Sequence, residues 1–266
     1  EFWRDTNVSR TLLTEAEKTG AALIYGIECV DLKETGIKQH NSAVLVNTER
    51  GIAGRYDKMH LVPFGEYIPF QKSMPWLSKF TPYPPDFGLT AGTNPVVFEH
   101  RNLRIAPVIC FEDTVPHLVR NVVAGATKGD TDRPVDVLVN LSNDGWFHGS
   151  SGLDQHLITA AFRAVECRTP LVRAVNTGIS TVIDGDGAIR EPEVMIDGDT
   201  LKATTFTDPS TGRWRKQVNA SIVQTVPLDN RRSLYVRYGD WFAMLCCATC
   251  VFSALSAVPF RRTTIM

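Results

Sequence analysis

Between residues 20 and 230 the chain alternates short runs of β-forming apolar residues with stretches of helical periodicity, the pattern of an α/β domain. Ala21 to Val30 reads as a buried strand and Ser42 to Asn47 as another. Val96 to Glu99 and Leu103 to Ile109 read as a strand pair turned at His100-Arg101-Asn102. Val135 to Leu141 carries the apolar centre Val137-Leu138-Val139, which fits burial on both faces. Leu171 to Val175 and Ile179 to Ile183 follow, closed by a tight turn at Asp184-Gly185-Asp186-Gly187. Thr200 to Phe206 and Ala220 to Pro227 are expected to finish the sheet. Helices are predicted over 8–19, where Leu12, Leu13 and Ala16 share a face and Gly20 stops the run, over Pro116 to Thr127, and over Leu153 to Cys167. Residues 60–93 form a long irregular excursion rich in proline and aromatic side chains.

Composition narrows the classes. A chain of 266 residues, 43% hydrophobic, can bury one large core. A formal net charge of −1 argues against a nucleic-acid partner, which would want a basic face. There are six cysteines, with Cys246, Cys247 and Cys250 crowded into one apolar segment and Cys29, Cys110 and Cys167 scattered. No CxxC has a partner pair, so neither a metal site nor any cofactor is expected, and a domain of this size needs no disulfide scaffold. The chain opens polar and charged, Glu1-Phe2-Trp3-Arg4-Asp5, without a starting methionine or the apolar core of a signal peptide. It reads as a portion of something longer.

From Trp241 to Phe260 no side chain is charged. At about 1.5 Å per residue such a helix spans about 30 Å, the hydrocarbon thickness of a bilayer. A transmembrane helix is therefore expected over about 241–260, with Tyr235, Tyr238 and Trp241 as an interfacial belt and a short basic tail at Arg261-Arg262. The abutting arginines place the C-terminus in the cytoplasm and the large domain outside. This divides the chain into an α/β domain over 1–232 and a membrane segment over 233–266.

Two stretches carry the chemistry. Cys110 ends the Leu103–Ile109 strand and precedes Phe111-Glu112-Asp113, with a helix beginning at Pro116. A strand-to-helix elbow exposes a side chain at the sheet edge and aims backbone N–H groups at it, which favours a thiolate. Lys58 lies in Tyr56-Asp57-Lys58-Met59-His60-Leu61-Val62-Pro63-Phe64-Gly65-Glu66, hemmed in by apolar neighbours. A fixed ammonium beside a thiolate favours its ionisation and binds a developing oxyanion. Glu66 stands ready to orient the lysine or to sit near the acyl carbon. Asn143-Asp144-Gly145-Trp146-Phe147 closes another strand, where Asp144 serves the site or simply forms the turn. Phe64, Tyr67, Phe70 and Trp76, among prolines, suit a loop that touches acyl chains or a lid over the core.

Together Gly54 to Lys58, His60-Leu61-Val62-Pro63-Phe64-Gly65-Glu66, Val108-Ile109-Cys110-Phe111-Glu112, Ser142 to Phe147, Gln155-His156, Arg163 to Glu166, Arg173 to Gly178 and Tyr235 to Trp241 resemble the nitrilase superfamily. Within it they are similar to the apolipoprotein N-acyltransferases of bacterial envelopes. The resemblance implies a nitrilase-like αββα sandwich followed by a C-terminal transmembrane helix, in the bacterial inner membrane with its catalytic domain on the periplasmic side. It also implies an acyl chain taken from a phospholipid as a cysteine thioester and passed to the amino group of an apolipoprotein's lipid-modified N-terminal cysteine. Cys110 then matches the nucleophile, Lys58 the triad lysine and Glu66 a further catalytic glutamate. Phe111, by its N–H, Glu112, Asn143 and Trp146 match supporting positions. The implied triad base, a glutamate in a Trp-Pro-Glu-like motif, has no counterpart in this sequence, which looks like the C-terminal two-fifths to one-half of a full enzyme. Two other readings stand beside this one: a nitrilase-type amidase acting on a small amide, and an inactive fragment that keeps only the fold.

Overall fold

Alternating side chains on strand β2 (Gly36–Asn47) divide two cores and so set the layers of the molecule. The computed structural model describes residues 7–33, 36–71, 73–80, 84, 87–126 and 134–257. Val44 and Val46 face helix α1 (Asn7–Thr19), packing with Ala16, Leu12 and Leu13. Ala43 and Leu45 face the other way, onto Phe98, Ile109 and Tyr56. Because strand side chains alternate with period two, one short sequence supplies both contacts. β2 is central in an antiparallel three-stranded sheet, between β1 (Leu23–Lys33) and β3 (Gly51–Asp57).

The second sheet has six strands in the order β4 (Phe98–His100), β5 (Leu103–Ile109), β6 (Val137–Asn143), β7 (Leu171–Asn176), β8 (Thr181–Ile183) and β9 (Ile189–Arg190). β5, β6 and β7 run parallel and the rest antiparallel. Pro107, which has no N–H to donate, lies past the end of the β4 pairing. Ile105, Ile109 and Leu141 face the first sheet. Ala106, Val108 and Leu138 face α2 (Pro116–Ala126) and α3 (Gly152–Cys167), meeting Val119, Val122, Leu157, Ala160 and Ala164. The order helix, sheet, sheet, helix is the expected αββα sandwich.

Several expectations meet corrections. Gly20 does end α1, at φ +64°, but β2 begins at Gly36, well before Ser42, and β3 was not anticipated at all. Thr200 to Phe206 contributes only an isolated bridge, Ile196 to Ala203, and no strand. Ala220–Val223 (β11) pairs with Val194–Asp197 (β10) in a separate two-stranded sheet and does not extend the main one. The predicted transmembrane helix is also corrected. Among the described residues no helix is long and apolar enough to cross a membrane. The last helix, α5 (Trp241–Ala257), has 17 residues, about 25 Å at 1.5 Å each against about 30 Å of hydrocarbon. It follows the short α4 (Leu234–Tyr238), and its side chains are exposed through Ser256. The opening residues Glu1 to Asp5, Thr127 at the predicted end of α2, and the tail from Val258 through Arg261-Arg262 lie outside the described residues.

Candidate active site

Cys110 closes β5 and opens a tight turn, Cys110–Thr114, with its own φ at +52°. A residue with a Cβ gives up about 1–2 kcal/mol in that left-handed region, so the surroundings must hold it there. They do so from two sides.

On one side stands Glu112, fully buried. Its carboxylate accepts from Ile109 N at 2.8 Å, Met59 N at 2.7 Å, His60 N at 3.0 Å and the Tyr56 hydroxyl at 2.8 Å. Burial raises the Glu112 carboxyl above the usual range, with those donors pulling the other way. The same bonds tie the residue before Cys110 to the two residues after Lys58, so the elbow and the lysine loop are one braced unit. Phe111, 39% exposed, stacks on His60 with ring centres 6.0 Å apart.

Lys58 itself is 1% exposed. Its ammonium donates to both oxygens of Glu66, at 2.9 and 2.8 Å. Glu66 also accepts from Val62 N at 2.8 Å and Asn41 Nδ2 at 3.2 Å. With three kinds of donor upon it, Glu66 fixes the lysine and closes the turn from Val62. Main-chain bonds complete the seat, from Lys58 N to Asn41 O and from Gly92 N to Lys58 O, each 2.8 Å. Gly92 has to be glycine, since a Cβ there would stand 2.2 Å from the Asp57 carbonyl oxygen.

On the helix side of the sheet lies a polar cluster whose assembly the sequence does not announce. Asp113 and Asp144, both buried, flank His156 on α3. His156 Nε2 lies 2.8 Å from Asp113 and Nδ1 2.9 Å from Asp144. Burial alone would lower the imidazole's pKa, but bonding to Asp113 and Asp144 carries it up to about 9. Arg173, fully buried on β7, donates to Asp113 at 2.6 Å and to Asp144 at 3.4 Å. Asn140 on β6 also donates to Asp113. Asn140 Nδ2 and His156 Nε2 each lie 3.4 Å from the Cys110 carbonyl oxygen, so the cluster backs the elbow from behind. The one sequence signal was a polar residue interrupting each of two buried strands, Asn140 in β6 and Arg173 in β7.

The remaining expected residues lie around these. Asn143 accepts from Gly145 N at 3.2 Å and Asn176 Nδ2 at 3.0 Å, which shapes the turn after β6. Trp146, in that turn, is 80% exposed. Phe64 and Phe70 are exposed and both take positive φ, 61° and 59°. Tyr67 is half-buried and bridges Gly88, and Trp76 is exposed on the turn Pro75–Phe80. Among the described residues no group of His, Cys, Asp and Glu is arranged to hold a metal.

A sandwich of two sheets between helices, with a strained cysteine whose elbow is tied through Glu112 to the loop of a buried lysine–glutamate pair, defines a class. A family model described as carbon-nitrogen hydrolase matches residues 1–194, and the chain belongs to that family. The XC1258 protein from Xanthomonas campestris, a CN-hydrolase superfamily member, matches 97% of this chain and 77% of its own at TM-score 0.53 and 17% identity, a likeness of fold. Within the family, the chain is 36% identical over 229 residues to an apolipoprotein N-acyltransferase from Geobacter metallireducens, covering 86% of this chain. It is 33% identical over 242 residues to one from Rhodopirellula baltica, covering 91%. In both cases it spans 38% of the relative's length.

Proposed function

We propose that this chain carries the thiol half-site of an apolipoprotein N-acyltransferase. Cys110 as thiolate attacks the ester carbonyl of a phospholipid. The tetrahedral intermediate expels a lysophospholipid alkoxide, which takes up a proton, and leaves an acyl thioester. The amino group of a lipoprotein's lipid-modified N-terminal cysteine then attacks that thioester. An amide forms, the thiolate leaves, and the attacking nitrogen loses its proton. Lys58 stabilises the two oxyanions with its ammonium, together with the Phe111 N–H, and Glu66 holds that ammonium in place. A carboxylate base, as the resemblance implies, accepts and returns the proton.

The observation that carries this reading is the Glu112 brace, which joins a cysteine held at φ +52° to a lysine with its ammonium on Glu66. The names of the similar proteins favour a lipid-to-amine transfer over small-amide hydrolysis. So do the exposed Phe64, Phe70, Trp76 and Trp146, which water alone would not favour. The apolar helix α5 contacts lipid and attaches the domain to the periplasmic face of the inner membrane.

The test is mass spectrometry of the full-length enzyme after mixing with phospholipid. A hydroxylamine-labile acyl mass is expected on the Cys110 peptide, discharged by an amine acceptor and missing in Cys110→Ala. Release of ammonia from small amides without any acyl-lipid adduct would replace this function with the amidase reading.

A further inference from the structure

A cavity of about 660 Å³ opens at the end of the parallel strands opposite Cys110. Its walls are the segments that lead into β6 and β7, part of α2, and the segment that leads through α4 towards α5. Five arginines line it, Arg120, Arg168, Arg231, Arg232 and Arg237, against one carboxylate, Asp229. Arg231 is answered by Asp229 at 2.6 Å and by Asp186 at 2.9 Å, and Arg168 also pairs with Asp186. Among the described residues no carboxylate lies within ion-pair distance of Arg120, Arg232 or Arg237.

The fold builds this excess of positive charge into a defined place. Arg120 donates from Nε to the Tyr235 carbonyl at 2.8 Å. Its guanidinium carbon lies 3.3 Å from where a Cβ on Gly239 would stand, and Gly239 is the joint between α4 and α5. Arg237 lies over the Tyr238 ring at 5.1 Å. Immediately beyond begins α5, uncharged along its length and exposed on its described side chains. A cationic cavity at the root of an exposed apolar helix meets the two halves of a lipid with its own two halves.

We propose that this cavity docks the phosphate of an anionic phospholipid headgroup and so fixes the orientation of the domain on the bilayer. The docking is separate from the acyl-donor site, because the cavity lies before β6 and β7 and Cys110 after β5, at opposite ends of one parallel sheet. The inference rests on the reading of α5 as a lipid-contacting helix and not on the thiol chemistry.

The test is co-sedimentation of the whole chain with vesicles of phosphatidylcholine, with and without phosphatidylglycerol. Basic side chains near an anionic surface each contribute about fivefold in affinity. The double variant Arg232→Gln/Arg237→Gln, at two exposed positions, should therefore lose about twenty-five-fold of the gain from phosphatidylglycerol. Arg50→Gln/Arg213→Gln, with the same charge removed elsewhere on the surface, should retain that gain. Equal loss in the two double variants would overturn the site in favour of general charge attraction. If inorganic phosphate bound the chain without vesicles and competed away the gain from phosphatidylglycerol, the site would be one for free phosphate and the lipid assignment would fail. Wild-type chain that sediments with neither vesicle would instead overturn the reading of α5, whereas equal binding to both would overturn this inference alone.

Discussion

Cys110 combines a strained backbone with a half-buried position, and each has a measurable consequence. Glycine tolerates positive φ at no steric cost, so Cys110→Gly should be more stable than Cys110→Ala by about 1 kcal/mol in urea unfolding. Equal midpoints would mean the elbow is not strained. The sulfur should also be alkylated by iodoacetamide well ahead of Cys29 and Cys167, which are 1% and 4% exposed. Burial raises the Cys29 thiol and pushes that of Cys167 up to about 12. Equal labelling of the three peptides would remove the case for a presented nucleophile. His156 supplies a pH dependence with a definite sign. Burial disfavours its cation, but Asp113 and Asp144 more than compensate, and its pKa rises from 6.5 to about 9. A raised pKa means the native state holds the proton more tightly than the unfolded chain does. The stabilisation, on the order of 3 kcal/mol, is therefore whole below about pH 6.5 and disappears as the pH climbs through about 9. Unfolding curves of the native chain should move to lower urea between pH 6.5 and 9 while those of His156→Gln move much less. Parallel shifts in both would show that the imidazole is not held as a cation.

At the scale of elements, the loop from Lys58 to Glu66 is set by one ion pair instead of by regular secondary structure. With Lys58 1% exposed and Glu66 its only side-chain partner among the described residues, Glu66→Gln leaves a buried ammonium facing a neutral amide. The expected cost is about 3 kcal/mol. It should appear as faster hydrogen exchange at Val62, Glu66 and Leu89, whose amides are bonded within the loop. Unchanged exchange there would show that the main chain holds the loop without the pair. What could be read in advance follows from where each signal lives. β5 and the boundary at Cys110 were legible because an apolar run ends there and a turn and a helix follow at once. α3 was legible because its apolar positions recur with helical spacing. β3 was not, because Gly51, Gly54, Arg55 and Asp57 give it no β-type run, and it is a strand only through pairing with β2. The pairing of β10 with β11 joins Val194 to Val223 across a long stretch of irregular chain, which local pattern does not encode. In the site, the residue types at Cys110, Lys58 and Glu66 were visible. The Glu112 brace and the cluster around His156 were not, since they arise from residues that only the packed layers bring together.

For the whole molecule, the question is whether α5 belongs to the sandwich or to something outside it. Among the described residues the three hydrophobic cores contain none from α5, and Val236 on α4 is the last side chain packed against any of them. Through Ser256 its side chains, including Phe242, Met244, Leu245, Phe252 and Leu255, face solvent. A helix apolar around its whole circumference gains nothing from water and contributes nothing to a core it does not touch. Removing residues 241–266 should therefore leave the sandwich intact, because the Arg120 bond to Tyr235 and its contact at Gly239 both precede the cut. The change in unfolding free energy should stay within about 0.5 kcal/mol, as for surface changes away from buried features. Binding to phosphatidylcholine vesicles should be lost, because the apolar area that drives it is gone. A large fall in stability on truncation would mean that α5 packs on the sandwich in solution. Undiminished vesicle binding would move the lipid contact to the exposed aromatics at Phe64, Phe70 and Trp76.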